Sequence, residues 1–202
     1  MNAMSMAYLE SGRARQKQRT RDHLLSVARE LITSGDTPTV EEVAAAAGIS
    51  RTTAYRYFAS QGELLAAAYP ETVATSVLPE PPPSAPDERV AAVADYVITR
   101  VQDSEPQQRA MLRLSLGETE HELPLRQGRV IAWFIDALEP LAGALGEQTV
   151  HQLALALRAA CGIEARVWLS DVAGLAPEEV SALQRWMVDA LFKGALEMPP
   201  PT

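Results

Sequence analysis

The hydrophobic positions recur at helical spacing between glycine and proline breaks. Leu24, Ala28, Leu31 and Ile32 fall at i, i+4, i+7 and i+8, which predicts one buried helical face ending at Ser34-Gly35. In "TVEEVAAAAG", Thr39 stands three residues before Glu42, the spacing of a capping box, and Val40, Val43 and Ala47 form a narrow inner face that Gly48 ends. Ser50 predicts a third cap with Ile49 as its staple, and Ser60 with Glu63 predicts a fourth. One glycine turn between the second and third helices is the pattern of a helix-turn-helix. "LPEPPPSAPDE" follows and reads as a stiff, extended connector. Helical spacing then resumes in Val90, Val93, Val97 and Val101, in Met111, Leu112, Ser115 and Leu116, and in Val130, Trp133, Phe134, Ala137 and Leu141. Pro124 opens the last of these and Pro140 is expected to bend or end it. A long helix is predicted over 149–171, carrying Val150, Leu153, Leu157, Ala160, Cys161, Val167 and Trp168. A final one begins at Pro177 and presents Val180, Leu183, Met187 and Leu191 on one face. No strand-like alternation is present, so the expected class is all-α with about nine helices.

The third helix carries little core and many hydrogen-bonding groups. Ala54 and Phe58, four apart, define its inward direction; at 100° per residue Thr52 and Arg56 point away from it. Thr53 and Tyr55 flank them, and Arg51 and Tyr57 lie at the margins. Arginine donates bidentately to guanine, threonine offers a hydroxyl and a methyl, and tyrosine donates to phosphate. The face therefore suits duplex DNA.

Charge appears at first to oppose that reading, since the net charge is −8. Residues 1–60 nevertheless hold eight Lys/Arg against six Asp/Glu, and residues 61–202 hold ten against twenty. Arg13, Arg15, Lys17, Arg19 and Arg21 form a basic run ahead of the helix-turn-helix, suited to an anionic partner. The 47% hydrophobic content, with only 5% aromatic residues, favours helices and allows a real core. No run of about 18 apolar residues predicts a membrane span, and the basic N-terminus lacks a signal-peptide apolar stretch. Cys161 is the only cysteine, so no intrachain disulfide forms and a cytoplasmic setting is expected. His23, His121 and His151 are scattered outside any catalytic or zinc motif, and no glycine-rich phosphate loop exists. Glu118, Glu120, His121 and Glu122 cluster at an expected helix end and read as a solvated loop. Neither an enzyme nor a metal or cofactor is expected.

"TVEEVAAAAGISRTTAYRYFASQGELLAAAY" resembles the DNA-binding domain of TetR-type transcriptional regulators, with their Ala-Gly-apolar-Ser turn and Tyr-x-Tyr-Phe exit. The resemblance covers residues 15–69. It implies a homodimer whose third helices enter successive major grooves of a pseudo-palindromic operator. It also implies contacts from Thr39, Arg51, Thr52, Thr53, Tyr55, Arg56 and Tyr57, with Ser50 at the helix entry and Arg15 toward the backbone. Where the family usually carries a phosphate-binding lysine this chain has Gln61, which implies a weaker, less salt-dependent contact. "CGIEARVWLSDVAGLAPEEVSALQRWMVDALFKGAL" is similar to the last two helices of such regulators, which form a four-helix dimer interface. Leu157, Cys161, Trp168, Leu183, Trp186, Met187 and Leu191 are the candidates there, the other reading being that they complete the monomer core. An unknown small-molecule effector is implied among the middle helices. Met111, Arg113, Trp133 and Phe134 are the candidate pocket residues; Met111, Trp133 and Phe134 read more readily as core, and Arg113 is either a polar anchor in a pocket or a snorkelling surface residue. Glu164 either lines the pocket or pairs with Arg113, Arg126, Arg129 or Arg158.

The expected organisation is a flexible tail over 1–12, a helix-turn-helix domain over 13–60 and a connecting helix over 61–78 that Pro70 kinks or shortens. A proline linker over 79–87 and a ligand-binding and dimerisation domain over 88–202 follow. The function expected is a ligand-released repressor. Constitutive DNA binding without an effector and a helical protein-interaction module are the alternatives.

Overall fold

A computed structural model describes residues 3–69, 74–116 and 129–201, and every regular element among them is helical. Pro70, Pro124, Arg126 and the Glu118–Glu122 cluster lie outside the described residues. Two compact units result, Met1–Glu71 with Arg113–Leu125, and Thr72–Leu112 with Arg126–Thr202. Expected boundaries after 60 and 78 thus give way to one at 71, and Arg113 joins the first unit.

In the first unit α1 (Ala3–Thr33) packs against α2 (Val40–Ala46) and α4 (Gln61–Ala68), and α2 packs against α3 (Arg51–Tyr55). Leu24, Leu25, Val27, Ala28 and Ile32 bury one face of α1, and Val40, Val43, Ala54, Phe58, Leu64 and Leu65 complete the core. α1 begins at Ala3, so the segment expected as a tail is helical. Its Ala, Met, Leu and Glu residues contain no proline, and extending an existing helix costs far less than nucleating one. Gly35, at φ +97, turns the chain out of α1, with the Asp36 amide donating to the Leu31 carbonyl at 3.1 Å. α4 ends at Ala68, and the connecting helix expected to reach 78 is corrected accordingly. Tyr69 sits at φ −134 and ψ 81, because a residue before proline is excluded from the helical region. Arg29 of α1 donates to the Ala68 carbonyl at 2.6 Å, closing the end of α4.

The second unit is built on α5 (Pro86–Asp103), α7 (Arg129–Leu138), α9 (Glu147–Cys161) and α11 (Pro177–Glu197). α6 (Glu105–Leu116) contributes residues up to Leu112, and α8 (Ala142–Leu145) and α10 (Ile163–Val167) are short. α5 opens on Pro86 as its first residue, so the linker ends before the expected 87. Val90, Val93, Val97 and Val101 are buried as their spacing predicts. α7 stops at Leu138, and Pro140 lies in a 3₁₀ turn over Glu139–Leu141. Its last carbonyls have no intrahelical donors, and buried Arg89 supplies them, from Nη2 to Asp136 at 2.6 Å and from Nε to Ala137 at 3.1 Å. Trp133 is also partnered: its indole donates to the Ala74 carbonyl at 3.0 Å and meets Tyr96 edge-on at 5.5 Å.

The predicted helix over 149–171 is two segments. Gly162 interrupts it with φ −78 and ψ 174, leaving α9, then α10, then a π turn over Trp168–Val172. Gln184, 0% exposed, reaches from α11 and donates to the Ala160 and Gly162 carbonyls at 3.2 Å each. Its Oε1 has no partner within the described structure. A Cβ at Gly162 would lie 2.5 Å from Arg158 Nη1 and 2.7 Å from Glu164 Oε2, the two atoms that form an ion pair at 2.6 Å. Glu164 is therefore held by Arg158, one of its four candidate partners.

α11 buries only Val180 of the stripe that its spacing presents. Its buried residues are Val180, Ser181, Gln184, Val188, Phe192 and Ala195, whereas Leu183 and Met187 are half-buried and Leu191 is exposed. Polar Ser181 and Gln184 turn inward because buried donors and carbonyls require them. Ser181 Oγ receives Nη1 of Arg166, whose side chain is only 2% exposed, at 3.2 Å. Arg166 and Arg109 both donate to Glu105, at 2.6 and 2.8 Å, and Arg109 clasps Asp171 with both Nη atoms at 2.6 and 2.7 Å. Burial alone would raise the Glu105 carboxyl, but the Arg166 and Arg109 hydrogen bonds outweigh it and hold the group below its ordinary value.

The dimer and pocket candidates separate on these terms. Leu157 and Cys161 are buried inside the monomer core with Trp133 and Phe134, which corrects the first two as interface residues. They face α5, α7 and α11 because the α9 stripe points into the unit. Trp168 and Trp186 are 58% and 64% exposed. Met111 is buried in α6. Arg113, of its two readings, takes the surface one: it is an exposed residue of the first unit that donates to the Gly35 carbonyl at 3.1 Å and to Thr37 Oγ1 at 3.0 Å.

Candidate nucleic-acid interface

Two capped helices and a glycine set the site. The Thr39 hydroxyl accepts from the Glu42 amide at 3.2 Å, and Glu42 accepts from the Thr39 amide at 2.7 Å, the expected reciprocal box. α2 ends at Ala46 with Ala47 as its cap; Gly48 takes φ +65, and the Ile49 amide returns to the Ala44 carbonyl at 2.9 Å. A left-handed residue is required for that reversal, which is why glycine stands there. Ser50 caps α3 by accepting from the Thr53 amide at 3.3 Å. Ser60 caps α4, while Glu63 reaches back one residue further than a capping box requires, to the Ala59 amide at 2.7 Å. The fully buried Ala54 and the buried Phe58 press α3 onto its scaffold, and Arg21 of α1 lies 5.5 Å from the Phe58 ring centroid. His23 of α1 donates to the Ala47 carbonyl at 3.2 Å beside the turn.

The candidate contact residues divide by how much of their bonding capacity is already in use. Thr52 and Arg56 are exposed, and among the described residues neither has a side-chain hydrogen bond or ion pair. Tyr57 is half-buried beside them, and Arg15 is exposed on α1. Thr39 has its hydroxyl committed to Glu42, donating at 2.9 Å as well as accepting. Ser50 donates to Thr53 Oγ1 at 2.8 Å, which leaves Thr53 its own hydroxyl proton. Gln61 donates to the Thr37 carbonyl at 2.8 Å, so its side chain serves the scaffold in the place where a lysine was expected to serve DNA. Arg51 and Tyr55 meet on Glu41, each 2.7 Å from Oε1. The Tyr55 hydrogen bond, Glu41's own backbone amide and the Arg51 charge hold the Glu41 carboxyl below its ordinary value; the same carboxylate raises the Tyr55 phenol.

Glu41 was not among the sequence candidates. It lies ten residues from Arg51 and fourteen from Tyr55, across the turn, so no helical period joins them. The available signal was an acid in the first turn of α2, which the helix dipole accounts for without reference to α3.

A short, polar, outward-facing helix held behind a capped glycine turn defines a helix-turn-helix DNA-binding transcription regulator. Residues 24–68 match the family model of bacterial regulatory proteins, tetR family, so the N-terminal domain is similar to the DNA-binding domain of those regulators. No curated protein and no solved structure matches the chain. Among the described residues no helix is long and apolar enough to cross a membrane, and no His, Cys, Asp or Glu cluster could hold a metal ion.

Proposed function

We propose that the protein is a cytoplasmic homodimeric repressor that binds a pseudo-palindromic operator and is released by a small-molecule effector. The observation that carries the DNA-reading part is the exposed, uncommitted pair Thr52 and Arg56, opposite buried Ala54 and Phe58. Thr53 and Tyr55 read beside them, and Arg51, Tyr57, Ser50, Thr39, Gln61 and Arg15 lie toward the phosphates. Exposed Trp168, Trp186 and Leu191 support a dimer interface made by the π turn and α11, with half-buried Leu183 and Met187 at its edge. Two heads about 34–36 Å apart would then match successive major grooves. An effector would act by favouring a different spacing, to the extent of its differential affinity for the two states.

Constitutive DNA binding without an effector is the second reading, and a specific observation favours it. Both polar pocket candidates have internal partners, Glu164 with Arg158 and Arg113 with Gly35 and Thr37.

The test is duplex selection from a random pool with the full-length protein, followed by footprinting. Two protected half-sites one turn apart are expected, with Arg56→Ala relaxing base preference and Arg15→Ala weakening all duplexes alike. Equal losses for both variants on all sequences would overturn the assigned roles. Thermal-shift screening against small molecules separates the two readings.

A further inference from the structure

We propose that Glu41 is a specificity-determining residue, whose carboxylate competes with DNA for Arg51 and Tyr55 and so suppresses binding to duplexes that offer only phosphates. The inference rests on α3 being the DNA-contacting helix. One carboxylate oxygen receives both the Arg51 guanidinium and the Tyr55 hydroxyl at 2.7 Å, and the guanidinium lies 5.7 Å from the Tyr55 ring centroid. The Arg51 side chain is 72% exposed, so the cluster faces solvent, where a duplex can reach it. Glu41 does not cap α2, because Glu42 takes both the amide and the hydroxyl of Thr39. Beyond its own backbone amide, its carboxylate meets the two α3 side chains.

The hydrogen-bond inventory gives the cluster its selectivity. Tyr55 has one hydroxyl proton and gives it to Glu41, so its oxygen is left as an acceptor. A phosphate oxygen is also only an acceptor, and therefore Tyr55 binds phosphate only after leaving Glu41. Only Nη2 of Arg51 meets the carboxylate, so a phosphate can still reach its other N–H groups, but it meets there a charge that Glu41 already offsets and has the carboxylate's negative charge beside it. Base edges differ, because the amino groups of cytosine and adenine donate into the major groove. Such a donor can meet the Glu41 carboxylate or the Tyr55 oxygen with the cluster intact. Contacts driven by phosphate are penalised and contacts to a base donor are spared.

The experiment uses full-length wild type, Glu41→Gln, Glu41→Ala, Arg51→Ala and the Glu41→Gln/Arg51→Ala double variant. Each is titrated against a duplex enriched by the wild type from a random pool, and against a scrambled duplex of the same composition, across a series of salt concentrations. Either Glu41 substitution is expected to tighten scrambled-duplex binding several-fold and to steepen its salt slope by roughly one unit, the signature of one more phosphate contact. The enriched duplex should gain less, so the ratio of the two affinities falls. Arg51→Ala should change the slope little in the wild-type background and abolish the extra unit in Glu41→Gln. The proposal is overturned if correctly folded Glu41 variants, judged by unchanged thermal melts, bind the scrambled duplex no more tightly or keep the wild-type ratio. A wild type that enriches no duplex would overturn both this proposal and the reading beneath it.

Discussion

The first unit satisfies its polar groups mostly within a turn of chain, and the second adds a network that joins groups sixty and more residues apart. Thr39 with Glu42, Ser50 with Thr53 and Ser60 with Glu63 are all three apart. Arg166 with Glu105, Arg109 with Asp171 and Ser181 with Gln102 are separated by 61, 62 and 79. Local bonds form with each helix, whereas long-range ones exist only once the helices are assembled. A lesion should therefore weaken one helix end in the first unit and the whole assembly in the second.

The largest expected effect is at Arg166. Replacing it with alanine strips one charge-assisted partner from Glu105 and one donor from Ser181, at a cost of about 3–5 kcal/mol. Chemical denaturation should show that loss in the second unit while duplex binding by the folded remainder persists; equal loss in both units would erase the contrast. Gln184→Leu comes next. It removes the donors for two carbonyls at the α9–α10 break and should cost about 1–3 kcal/mol, partly offset because the unpaired Oε1 also goes. Thr39→Ala should cost about 1 kcal/mol, with hydrogen exchange rising first in the opening turn of α2. Acid makes a finer test. The Glu105 carboxyl is held below its ordinary value in the folded state, so its contribution is present above about pH 4.5 and is lost as pH falls through the folded pKa. Glu105→Gln should flatten that acid limb of the stability profile. The smallest effect is at Cys161, whose thiol burial pushes up to about 12: a thiol reagent at neutral pH should leave the native protein unmodified and label it only on unfolding.

The same contrast accounts for what the sequence disclosed. Caps at fixed spacing, the glycine turn and the inward pair Ala54 and Phe58 were legible, because each depends on neighbours within about one helical turn. The valine stripe of α5 was legible for the same reason. The polar residues that α11 buries were not. Leu183 and Leu191 outrank Ser181 and Gln184 in hydropathy, and only the carbonyls exposed by the Gly162 break and the buried Arg166 make the polar pair the inward one. Leu157 and Cys161 share a stripe with Trp168 in an unbroken helix; the break at Gly162 divides the buried positions from the exposed one. In the reading head the directions of the side chains were legible and their commitments were not. Glu41 lies outside any local pattern that includes Arg51 or Tyr55, and Gln61 looks like a lysine substitute until its bond to Thr37 is seen.

A lone thiol sealed in the core makes the chain silent to maleimide chemistry. A cysteine introduced at exposed Ala46 would then be the one site in the chain to take a fluorophore or spin label. A ruler of that kind, set beside the glycine turn, would report the distance between the two heads of the proposed dimer in solution.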